Sequence, residues 1–63
     1  MTTAGILWNL GYDRNESDEN ILEGLQKYDV NCYKCISQLS KNKIIECLSE
    51  IKYHISRFDE CKP

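Results

Sequence analysis

Two consecutive segments of this 63-residue chain carry the same 4–3 spacing of apolar residues, and that repetition constrains the fold more than any other feature. Ile21, Leu25, Tyr28, Cys32, Cys35 and Leu39 form the first series. Ile44, Leu48, Ile51, Ile55 and Phe58 form the second. A repeat averaging about 3.5 residues is the signature of an apolar seam on an α-helix. Between them lies Ser40-Lys41-Asn42-Lys43, polar and turn-favouring, and the only proline is Pro63. Folding the chain back at this point sets Leu39 opposite Ile44, Cys35 opposite Leu48, Cys32 opposite Ile51, Tyr28 opposite Ile55 and Leu25 opposite Phe58. Short connections of this kind make antiparallel neighbours of successive helices.

The expected architecture is therefore all-α: one domain over residues 1–63, with an N-terminal arm at 1–16, a first helix at 17–40 and a second at 42–61. Ser17 or Asp18 can cap the first helix, where Asp18, Glu19 and Glu23 complement the positive end of its dipole. Ser40 or Asn42 can cap the second. Gly24 costs a helix interior about 1 kcal/mol relative to alanine. Together with Val30-Asn31 it leaves a break near Asp29 to Asn31 as the alternative to one long first helix.

A chain this short buries only about 60% of the surface its unfolded form exposes, so a staple or a second chain is expected. Apolar residues remain after the seam is formed. Leu22, Ile36 and Ile45 widen the stripe on both helices, and the arm adds Ile6, Leu7, Trp8, Leu10 and Tyr12. Either the arm covers its own hairpin, or two hairpins pair into a four-helix bundle, or both. A surplus of this kind on so small a chain marks an association surface. Those eight residues are the expected contacts of a homodimer and of a protein partner.

Four cysteines raise the staple directly. Cys32-Tyr33-Lys34-Cys35 is a CxxC, and Cys47 falls near Cys35 across the hairpin. Cys32, Cys35 and Cys47 are thus a candidate metal set, but a structural zinc wants four ligands. His54 and Cys61 are badly placed to complete it, since Cys61 lies roughly 20 Å from Cys47 along a helix. Cys35 and Cys47 are the one pair with disulfide-competent placement. The simpler reading has the thiols as small apolar seam residues.

Charge and motif exclude other classes. Five acids and one base precede Leu25, and seven bases with five acids follow. The bases Lys34, Lys41, Lys43 and Lys52 are interleaved with acids, whereas phosphate recognition calls for a basic stripe, so no nucleic-acid partner is expected. The N-terminal stretch has no basic region leading into a long apolar run, and no segment approaches the roughly 20 apolar residues of a membrane span. A cytoplasmic location without membrane association is the expectation. There is no phosphate loop, nucleophile elbow or reactive carboxylate pair, so neither enzymatic activity nor a cofactor is expected. The leading reading is a small non-enzymatic module that binds or inhibits a larger protein. The alternative is a cysteine-stapled or zinc-binding structural protein.

Overall fold

A computed structural model describes residues 2–61. Among them the chain forms four helices: α1 (Thr3–Asn9), α2 (Asp18–Tyr28), α3 (Val30–Ser37) and α4 (Lys41–Glu60). The expected all-α class holds, and two of the expected boundaries do not.

The N-terminal segment is not an extended arm. Thr2 caps α1, its hydroxyl accepting from the Gly5 amide at 3.1 Å. At the other end Gly11 adopts φ 96°, the left-handed conformation that glycine takes without a steric penalty. The Gly11 amide then donates to the Trp8 carbonyl and the Tyr12 amide to the Leu7 carbonyl, each at 3.1 Å. This pair of bonds is a Schellman motif, which satisfies two otherwise orphaned helix carbonyls. Ala4 and Leu7, one turn apart, bury the inner face of this short helix.

Ser17 caps α2 by accepting from the Asn20 amide at 3.1 Å, and Asp18 and Glu19 occupy the first turn. The single helix expected over residues 17–40 is interrupted at Asp29, whose φ of −142° and ψ of 69° are non-helical. The Asp29 side chain explains the interruption. One carboxylate oxygen accepts from the Cys32 amide at 3.2 Å and so caps α3. The other accepts from the Thr3 hydroxyl of α1 at 2.8 Å. The break is therefore fastened to another helix as well as tolerated locally.

Interrupting the helix resets its phase. The core consists of Ala4, Leu7, Ile21, Leu25, Ile36, Leu48 and Ile55, drawn from all four helices. On α2 and α4 the expected seam survives, with Ile21, Leu25, Leu48 and Ile55 at most 1% exposed. On α3 only Cys32 of the seam keeps its place against the core, because counting by threes and fours cannot continue through a non-helical residue. Ile36 is the buried residue there, while Cys35 and Leu39 lie on the surface and Tyr28, just before the break, is exposed too. Leu48 and Ile55 are thus buried although Cys35 and Tyr28, the mates expected for them, are exposed. Helix α4 contacts α1, α2 and α3, and its most extensive contact is with α1. The first helix takes a place in the core that a simple two-helix hairpin would have left open.

Candidate interaction surfaces

The eight residues expected to contact partners fall into three environments. Leu7 and Ile36 are interior, 0% and 5% exposed, so they serve the chain's own core. Ile6, Trp8, Tyr12 and Leu22 are half-buried, and Trp8, Tyr12 and Leu22 pack against that core. Leu10 and Ile45 stand exposed.

Trp8 illustrates how α1 is held on α4. Its indole stacks on Phe58 with centroids 5.5 Å apart and an interplanar angle of 23°. The indole N–H donates to an Asp59 carboxylate oxygen at 2.9 Å. Apolar cover and a polar tether on neighbouring residues of α4 thus fix one side chain, the usual arrangement for a buried-edge tryptophan. On the other flank Lys52 joins α4 to the start of α2, pairing with the Asp18 carboxylate and donating to the Glu16 carbonyl at 3.4 Å. The exposed pairs Lys27–Glu23 and Lys43–Glu46 add little, since surface ion pairs contribute roughly 0–1 kcal/mol.

Sequence reasoning missed three surface apolar residues: Tyr28, Val30 and Leu39 are exposed alongside Leu10, Ile45 and Tyr53. Leu39 and Ile45 flank the α3–α4 turn. Residues 30–45, which include both, carry three lysines and no acid. That acid-free stretch is a charge signal readable without a structure. The exposure of Leu39 is not, because the seam spacing placed it on a helix and the structure places it in the turn beyond the end of α3.

The four cysteines are free thiols. Cys32 and Cys47 are half-buried, Cys35 and Cys61 exposed. The expected Cys35–Cys47 bridge loses its basis with the continuous helix, which alone turned Cys35 toward α4. No three His, Cys, Asp or Glu residues among those described could hold a metal ion together, so Cys32, Cys35 and Cys47 do not assemble a ligand set. Burial pushes the Cys32 thiol above its ordinary range, against the lowering effect of the Thr3 hydroxyl, with Asp29, Cys35 and Cys47 adding smaller upward pushes.

One further concavity, of about 720 Å³, opens between the start of α1 and the later turns of α4. Ala4, Ile51 and Phe58 supply its apolar lining, and Tyr53, His54 and Arg57 its polar edge. No described helix is long and apolar enough to cross a membrane. Comparison with known protein families, with curated proteins and with solved structures finds no match to this chain.

Proposed function

We propose that this chain is a small, non-enzymatic, cytoplasmic interaction module that self-associates as a homodimer in a larger helical bundle and binds or inhibits a larger protein. The observation that carries this reading is the corner between α3 and α4, where Leu39 and Ile45 are 41% and 44% exposed among Lys34, Lys41 and Lys43, with Glu46, paired to Lys43, the nearest acid. Exposed apolar side chains on a stretch with a surplus of lysine suit a charge-complementary contact, because burial supplies the affinity and charge selects the partner. The acid-rich stretch around α2, from Asp13 to Glu23, has the opposite sign and gives a second copy something to offer that corner. The cysteine-stapled or zinc-binding alternative has no comparable observation in its favour among the described residues.

Sedimentation of the wild type beside Leu39→Asp and Ile45→Asp tests the reading, because both positions are exposed and neither change should unfold the chain. The wild type is expected to associate and both variants to be monomeric with unchanged helicity. A wild type that stays monomeric at every concentration, together with an affinity-captured partner set unaltered by either variant, would reject it.

A further inference from the structure

The groove between α1 and α4 lies on another part of the molecule from the α3–α4 corner, so its assignment stands or falls independently of the interaction reading. We infer that it is a binding site for an amphipathic carboxylate of medium chain length, with the apolar tail along Ala4, Ile51 and Phe58 and the carboxylate on Arg57.

Three observations converge on this ligand class. The first is size: about 720 Å³ lies within the roughly 300–1,000 Å³ typical of small-molecule sites. The second is the distribution of charge. The whole chain carries ten acidic residues and a net charge of −2, yet among the described residues no Asp or Glu lines this groove, and Arg57 does. Helix α1, which forms the opposite wall, contains no charged residue. An anionic headgroup therefore meets a cation and no lining carboxylate, whereas a cationic headgroup meets only repulsion.

The third is the state of Arg57. Its guanidinium donates to the Tyr53 hydroxyl at 3.3 Å and forms no ion pair with any described residue. The two nearest acids on its helix do not take it up. Asp59 accepts the Trp8 indole, and Glu60 acts on Arg57 only at longer range. Tyr53 orients the guanidinium while keeping its own hydroxyl proton, which can be donated to a carboxylate oxygen. A planar fork of donors beside a hydroxyl matches a carboxylate better than an alcohol or an ammonium. Of the threonines at the groove's edge, Thr3 spends its proton on Asp29, whereas Thr2 accepts from the Gly5 amide and keeps its own hydroxyl proton.

The test uses the full chain with decanoate as the probe, and decanol and decyltrimethylammonium as matched-tail controls. Trp8 is the only tryptophan and stacks on Phe58, a groove-lining residue, so its fluorescence reports occupancy. Decanoate, below its micellar concentration, is expected to change that fluorescence saturably and to shift the backbone amide resonances of Ile51, His54 and Phe58. Arg57→Gln should weaken decanoate about tenfold, the order expected for losing a hydrogen bond to a charged group. Arg57→Lys should recover part of the loss. Melting curves check that both variants remain folded, as expected for an exposed side chain. No saturable change, equal binding of decanol, resonance shifts elsewhere, or an unaffected Arg57→Gln variant would each overturn the assignment.

Discussion

The ring of Tyr12 lies against the bare backbone of Gly24: a Cβ built on that glycine would fall 2.8 Å from both Cζ and Oη of the tyrosine. The residue that weakens α2 by its propensity is thus the one that lets the chain following α1 close over it. Gly24→Ala should destabilise the protein by about 1 kcal/mol, as the displaced ring outweighs the better helix former. In a Tyr12→Ala background the same change should stabilise by about 1 kcal/mol. Denaturant melts of the four proteins in the cycle check this reversal of sign, and equal effects in both backgrounds would contradict the contact.

Because Ala4 and Leu7 belong to the core, α1 is an integral element. Removing residues 1–10 should leave α2 to α4 without a cooperative thermal transition. Leu7→Ala alone should cost about 2–5 kcal/mol, comparable to the whole stability of about 3–5 kcal/mol that a core this small supplies. Circular dichroism melts measure both.

Asp29 makes two bonds that a hydrophobic residue cannot replace. Asp29→Ala should cost about 1 kcal/mol for the lost cap of α3, plus roughly another 1 kcal/mol for the contact with Thr3. Thr3→Val should reproduce only the second part. If the double variant is no less stable than Asp29→Ala, the two residues act through the same bond, as the geometry requires.

The thiols should separate by rate. Cys35 and Cys61 are exposed and should react first with an alkylating reagent, Cys47 more slowly and Cys32 slowest, since its neutral form is favoured in the folded state. Raising the folded-state value means that the folded chain holds the Cys32 proton more tightly than the unfolded chain. The resulting stability is complete below the unfolded value near 9.0 and is lost as pH rises through the higher folded value. Mass mapping of partially labelled protein and melts between neutral and strongly alkaline pH, with Cys32→Ser as the reference, test the two statements.

Much of the helical content was legible in the residues. The α2 and α4 faces around Ile21, Leu25, Leu48 and Ile55 follow from the 4–3 spacing alone, and Ser17 caps α2 as expected, whereas Ser40 stands at the N-cap position of α4 without a side-chain capping bond. The α1 helix was also encoded locally, by Thr2 before it and Gly11 after it, but seven residues are too few for apolar periodicity to assert itself. Of the candidate contacts, Leu10 and Ile45 reach the surface, whereas Leu7 and Ile36 turn inward. Apolar character identifies residues that avoid water without saying which neighbour covers them.

Alone, the amino-acid order determined which stretches coil and, on α2 and α4, which faces are apolar, because propensity, capping and side-chain spacing act over a few neighbouring residues. The sequence leaves a break near Asp29 to Asn31 as an alternative; in the tertiary structure Asp29 both caps α3 locally and engages the Thr3 hydroxyl 26 positions away, a bond local spacing cannot show. With the break go the interior place of Ile36 and the exposure of Cys35. Such outcomes depend on which side chains meet across the fold, which local spacing cannot express.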